Sequence, residues 1–278
     1  MYMKYCVNDN RIVITGLEEF SIKQILECGQ IFRYKRISDS NYEVFFGNHH
    51  AIICENRAEN RAEIVSDDAI AAIRFFDLDN SYFQAKETIK KVPGMKEAVE
   101  AGYGIRILKG DPSEIIFSFI ISANNNIKRI QGIIEKLVML GDNMGDYRAF
   151  PTALQIMSAS DEFMDSLHAG YRKDYLKKTA KMLLNVDLNE KAKLPSSELK
   201  KWLMTLSGVG PKVASCIMLF GFGRQDCFPV DTWINKVYHN YFFAGEKTRP
   251  EIERYFLQVF GDTMSGIAQQ YLFYYYKK

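Results

Sequence analysis

Up to about residue 90, apolar and polar positions alternate in short runs broken by turn residues. Arg11-Ile12-Val13-Ile14, Gln30-Ile31-Phe32-Arg33-Tyr34, Tyr42-Glu43-Val44-Phe45-Phe46 and Ala51-Ile52-Ile53-Cys54 read as strands. Ser38-Asp39-Ser40-Asn41 and Gly47-Asn48-His49-His50 separate them, so hairpins of an antiparallel sheet are expected. From about Ser66 the period becomes helical, through Ile70, Ile73 and Phe76 and then Tyr82, Ala85 and Ile89. The remainder reads almost entirely as helix. The pattern predicts an α+β fold, mostly α: a twisted antiparallel sheet domain with flanking helices over residues 1–95, and a helical domain over 96–278.

Asp111-Pro112-Ser113-Glu114 combines an N-cap, proline at the first helical position and a glutamate spaced to reach back in a capping box. The helix it opens is apolar on nearly all sides, through Ile115, Ile116, Phe117, Phe119, Ile120 and Ile121. Ser122-Ala123-Asn124-Asn125-Asn126 ends it. Asparagine side chains compete for backbone hydrogen bonds, so this run suits a junction that caps the next helix, or a polar cluster facing a groove. Further on, Ser196 is read as the cap of a helix carrying Leu199, Trp202, Leu203 and Leu206. Gly208, Gly210 and Pro211 then turn the chain into another helix bearing Val213, Ala214, Ile217, Met218 and Phe220. Two helices thus meet at a glycine hairpin. Backbone N–H groups at such a helix start suit a phosphate, and Lys212 stands at that electropositive end.

Composition narrows the class. With 47% hydrophobic, 25% charged and 13% aromatic residues, the chain is globular and not disordered. The net charge of +2 favours no partner, but Arg172, Lys173, Lys177, Lys178 and Lys181 stand against Asp174 alone on one stretch, a solvated helix face or a DNA contact. Cys6, Cys28, Cys54, Cys216 and Cys227 form no CxxC pair, which points away from a disulfide framework or a zinc site. No run of eighteen apolar residues occurs and no targeting segment is seen, so no membrane partner and a cytoplasmic, nucleoid-type location are expected.

Pro229 and Val230 read as extended, with Asp231 placed to cap a helix bearing Ile234, Val237, Tyr238 and Tyr241. The helix after Pro211 rises about 15 Å, and the loop beyond it is long enough to return, which brings Asp231 within reach of Lys212. An amine in a part-buried cleft is a candidate nucleophile, and a carboxylate beside it stabilises a cation. The plainer alternative is a solvated lysine and an ordinary cap.

The sequence Leu206-Ser207-Gly208-Val209-Gly210-Pro211-Lys212, followed by Asp231, resembles the helix-hairpin-helix glycosylase superfamily. Within it, the chain resembles the 8-oxoguanine DNA glycosylases along its whole length. The matching stretches are Gly29 to Arg33, Asp111-Pro112 through Asn124 to Arg129, Gly170-Tyr171-Arg172, the hairpin, Pro229-Val230-Asp231, and Ala268-Gln269 with Leu272-Phe273. The resemblance implies a bifunctional glycosylase and AP lyase acting on duplex DNA that contains 8-oxoguanine, preferably opposite cytosine. Its site would lie in the cleft between the domains and within the helical one. Lys212 would attack the sugar C1′ and form a Schiff base, with β-elimination of the strand, and Asp231 would assist. Gly29 would offer its carbonyl to the N7 hydrogen of the lesion, Cys216 and Phe273 would sandwich the base, and Gln269 would bond its pyrimidine edge. Asn124, Arg129 and Arg172 would contact the estranged cytosine, with Tyr171 wedged into the stack. The hairpin at Gly208, Gly210 and Val213 would hold DNA phosphate. The backbone carbonyls of Met204, Leu206 and Val209 would bind a structural monovalent or divalent cation. No cofactor would be required, and the protein would act as a monomer. One position departs: Trp233 stands where the eukaryotic relatives carry a histidine assigned to phosphate.

Three other readings share part of this pattern. An endonuclease III-like enzyme for oxidised pyrimidines usually carries a four-cysteine iron-sulfur loop after the hairpin, whereas only Cys227 follows Cys216 here, so no iron-sulfur cluster is expected. An alkylpurine glycosylase would not need Lys212. A non-catalytic DNA-binding module would use the hairpin for phosphate alone and would leave Lys212 and Asp231 without a shared purpose.

Overall fold

The alternating runs build a single sheet. In a computed structural model that describes residues 3–277, β1 (Lys4–Asn8), β2 (Arg11–Thr15), β3 (Tyr34–Arg36), β4 (Asn41–Phe46), β5 (His49–Asn56) and β6 (Arg61–Ser66) stand in the order β1-β2-β6-β5-β4-β3. All neighbours are antiparallel. Ile12, Ile14, Tyr42, Val44, Ala51, Ile53 and Ile64 are fully buried, so the alternation puts one face of the sheet into the core.

The helices are α1 (Ile22–Glu27), α2 (Ala69–Phe75), α3 (Phe83–Ile89), α4 (Lys96–Ala101), α5 (Pro112–Ser122), α6 (Ile127–Leu137), α7 (Ala153–Ser158), α8 (Asp161–Ser166) and α9 (Arg172–Leu183). They continue with α10 (Leu188–Ala192), α11 (Ser196–Leu203), α12 (Pro211–Gly221), α13 (Thr232–Tyr241), α14 (Arg249–Phe260) and α15 (Ser265–Tyr276). The apolar α5 and α12 lie against each other in the centre of the helical part, with the Phe119 and Phe220 rings stacked at 5.5 Å. The last helix, α15, returns to pack on α4.

Four expectations change. Gln30–Arg33 is not a strand; the Gln30 side chain is pinned between the Arg106 carbonyl (2.7 Å) and the Leu108 N–H (2.9 Å), which draws that stretch off the sheet edge. Two strands, β1 and β6, and the short α1 complete the sheet domain beyond the runs named above. Asp111 does cap α5, accepting from Glu114 N–H at 2.9 Å, but the Glu114 carboxylate does not reach back. It accepts instead from the Gly47 N–H (2.6 Å) and faces the Arg33 guanidinium (3.6 Å), tying the β4–β5 turn to α5. Burial raises this carboxyl's pKa to about 7 against the pull of Arg33. Finally, α11 is entered through an extended Pro195, with Ser196 already its first residue, and it ends at Leu203.

Candidate active site

The hairpin between α11 and α12 is held from outside. Gly208 has φ +84°, and a Cβ there would lie 2.6 Å from the Tyr175 ring of α9, so the close approach demands glycine. Thr179 of the same helix donates to the Ser207 carbonyl at 2.9 Å. Gly210 caps α12 in an extended conformation and contributes no side chain, and Pro211 occupies the first turn. The N–H groups of Lys212 and Val213 therefore point out of the positive end of an apolar helix. The carbonyls of Met204, Leu206 and Val209 lie in the same turn, that of Leu206 already accepting from Val209 N–H at 3.1 Å.

Lys212 is half-buried, its ammonium 5.5 Å from the Phe119 ring centroid. One turn on, Cys216 is buried; burial raises its thiol pKa, opposed by the Lys212 ammonium beside it. Asp231 caps α13, one carboxylate oxygen accepting from Ile234 N–H at 2.8 Å. Lys212, Cys216 and Asp231 face one partly open cavity of about 50 Å³, whose remaining walls are Gly29, Phe119, Phe220, Pro229, Gln269, Gln270 and Phe273. Residues from the turn after α1 in the sheet domain and from α15 thus converge on one amine and one carboxylate.

The Gly29–Phe273 side of this cavity is drawn in close. Gly29 has φ +82°, and a Cβ there would lie 3.5 Å from the Phe273 ring. The ring is half-buried and carries the Lys277 ammonium at 4.8 Å from its centroid. Burial lowers the Lys277 pKa, against the pull of Cys28 and Asp231. Gln269 donates to the Pro229 carbonyl at 3.2 Å and accepts from Gln270 at 2.8 Å. A volume of about 50 Å³ admits a few waters and no purine. A larger hollow of about 500 Å³ lies on the other side of the hairpin, against Gly210 and Lys212, and one of about 570 Å³ lined by Lys86 and Tyr103 is away from this chemistry.

A second cluster lies apart from the cavity. Asn124 is exposed with φ +50° at the end of α5, and Arg172 holds the turn behind it. Its guanidinium makes four hydrogen bonds, two to the Ala123 carbonyl and one each to those of Asn124 and Ala169, and it is 4% exposed. Arg129, in contrast, is exposed, and its guanidinium donates, among the described residues, to the His168 carbonyl alone, at 3.1 Å. Tyr171 is 52% exposed and is covered on one face by Arg172. On α9, Lys173 and Lys177 pair with Asp165 and Asp161 of α8, which takes two cations out of the basic stretch. Trp233 is exposed beside Lys236.

Phe119, Phe220, Pro229, Gln270 and Lys277 were not among the site residues expected from the sequence. The first two belong to apolar helical runs that read as core, and their helical period gives no sign of which face meets a cavity. Among the described residues, no group of three His, Cys, Asp or Glu side chains is placed to hold a metal ion. No helix is long and apolar enough to cross a membrane.

Comparison with known proteins decides the family. Residues 12–116 match the 8-oxoguanine DNA glycosylase N-terminal domain, and residues 117–261 match the HhH-GPD superfamily of base excision DNA repair proteins. A Clostridium acetobutylicum 8-oxoguanine glycosylase/lyase, solved with double-stranded DNA containing cytosine opposite 8-oxoguanine, superposes with a TM-score of 0.89 at 32% identity, over 100% of this chain and 98% of that one. This chain belongs to the 8-oxoguanine DNA glycosylase family. MBOgg1, solved with a low-affinity DNA ligand, gives a TM-score of 0.90 at 33% identity, over 100% of this chain and 99% of that one. The N-glycosylase/DNA lyase OGG1 of Arabidopsis thaliana is 28% identical over 281 residues, covering 92% of this chain and 77% of its own length. The two family matches meet between Ile116 and Phe117, inside α5.

Proposed function

We propose that this member of the 8-oxoguanine DNA glycosylase family is a bifunctional DNA glycosylase and AP lyase that removes 8-oxoguanine from duplex DNA, preferring cytosine opposite. The observation that carries the reading is the single cavity shared by Lys212, Asp231, Cys216, Gly29, Gln269 and Phe273. An enzyme acting on a base must extrude it from the stack and hold it by stacking and edge contacts. Phe273 and Cys216 supply the two faces, Gln269 meets the pyrimidine edge, and the Gly29 carbonyl accepts from N7–H, which guanine lacks.

In the chemical step the Lys212 amine donates its electron pair to C1′ as the C1′–N9 bond breaks. The departing base takes the bonding pair and a proton. Asp231 stabilises the positive charge that develops on the sugar, in a setting where a fixed carboxylate is worth far more than in water. Loss of a proton from the attacking nitrogen and opening of the sugar ring give the Schiff base. Removal of a C2′ proton then expels the 3′ phosphate. The N–H groups at Gly210 and Val213 hold the backbone phosphate, and the turn that glycine at 208 permits keeps them in place. In the same reading a monovalent or divalent cation sits on the carbonyls of Met204, Leu206 and Val209, Leu206 retaining one lone pair for it. Outside the cavity, Arg129 reaches the O2 and N3 acceptors of the orphaned cytosine and Tyr171 fills the gap in the stack.

The test is borohydride trapping on a duplex with 8-oxoguanine opposite cytosine. Wild type should give a covalent adduct and Lys212→Gln none. An adduct that survives in Lys212→Gln would overturn the mechanism.

A further inference from the structure

Gln269 and Gln270 are consecutive on α15, and each is only 3% exposed. Their amides form a relay: Gln270 Nε2 donates to Gln269 Oε1 at 2.8 Å, and Gln269 Nε2 donates to the Pro229 carbonyl at 3.2 Å. The relay begins at Gln270 Oε1, a buried oxygen that finds no donor among the described residues. Buried acceptors are almost always paired, and a methionine or leucine would fill this space without the penalty. Gln270 also lines the cavity that holds Lys212 and Asp231. An unpartnered acceptor beside a ligand cavity is matched by a ligand that brings a donor.

We propose that Gln270 reads the extruded base, its Oε1 accepting from an N–H on the edge opposite N7. Its own Nε2, by occupying Gln269 Oε1, also fixes which way round the Gln269 amide lies. A guanine-type edge carries two adjacent donors, N1–H and the 2-amino group, and Gln269 Oε1, already accepting from Gln270, keeps one lone pair for them. Two neighbouring amides offer two acceptor oxygens. The pair is therefore matched to a guanine-derived lesion and mismatched to an adenine-derived one, whose N1 is an acceptor. This rests on the excision reading above.

The test compares 8-oxoguanine with 8-oxoinosine, which lacks the 2-amino group, each opposite cytosine, with a preformed abasic site as the third substrate. Wild type should prefer 8-oxoguanine by about tenfold, the lower part of the range for a buried acceptor left without its donor. Gln270→Met, similar in volume, should lose most of that preference through a slower excision of 8-oxoguanine, with abasic-site cleavage unchanged. Gln270→Glu keeps an acceptor oxygen but loses the Nε2 donor that fixes Gln269, so it should keep part of the preference and more of it than Gln270→Met. Wild-type rates and preference in Gln270→Met would overturn the proposal, as would equal losses on both bases. A parallel loss at the abasic site would assign Gln270 to the fold alone. Failure of wild type to excise 8-oxoguanine would overturn the functional reading itself, an outcome distinct from all the others.

Discussion

The two sides of the cavity are held in different ways. The chemical side is anchored in the protein interior: α12 buries eight consecutive residues from Val213 to Phe220, and Asp231 is fixed by its bond to Ile234. The reading side is assembled from Gly29 and Phe273, near opposite ends of the chain, and its ring rests half-exposed under a lysine. A purine needs more room than the cavity offers, so something must yield when a base enters. Phe273 is the wall with the freedom to do so, since χ rotation of a half-buried ring disturbs no helix. Chemistry is thus preorganised, and recognition is adjustable.

The largest effect should come from the fixed side. Asp231→Asn keeps a good helix cap, so stability should change by less than about 1 kcal/mol, while excision should fall by roughly 10³-fold through loss of the charge. A melting curve and a single-turnover rate separate the two; a collapse in melting temperature would mean the carboxylate serves the fold. Next, Arg172→Ala should cost about 2–3 kcal/mol in denaturant unfolding, because the carbonyls of Ala123, Asn124 and Ala169 lose a charged donor. Arg129→Ala should change stability by less than about 0.5 kcal/mol and should instead flatten the preference among the four opposite bases. Equal behaviour of the two arginines would erase the distinction between brace and reader.

On the adjustable side, Phe273→Ala should slow excision by about 30-fold, the worth of stacking one base on an aromatic ring, and leave cleavage of a preformed abasic site within about twofold. Equal losses on both substrates would place Phe273 with the chemistry. The smallest effect should be that of Gly29→Ala, about 1 kcal/mol from the left-handed backbone. Its methyl would meet Phe273 in ordinary contact, so protein with an unchanged melting temperature and full discrimination against guanine would show that the conformation at 29 is unimportant.

Much of the fold was legible because its signals are local. The runs at Arg11, Tyr42 and Ala51 alternate strictly and sit in strands, and Asp111, Pro211 and Asp231 stand at helix starts, where cap chemistry needs no knowledge of the rest. Gln30 to Arg33 misled because its alternation is real while its partner is not a strand: a side-chain amide satisfied by Arg106 and Leu108 outweighs a fourth pairing run. The site was partly legible for a different reason. Lys212 and Asp231 have motif context, but Arg172 shows what motif context omits, since its burial and its bonds to three backbone carbonyls appear only once the chain is folded. Gln270 carried no signal at all, because an unpaired buried oxygen exists only once the fold is known.

The Gly29–Phe273 contact also sets an order of events during synthesis. Lys212 and Asp231 leave the ribosome before α15 does, yet the wall that the proposed reading assigns to telling a lesion from guanine is not whole until that helix docks on α4. In that reading discrimination is acquired after the reactive amine, and a chain cut short before Phe273 would carry Lys212 without the ring assigned to the base.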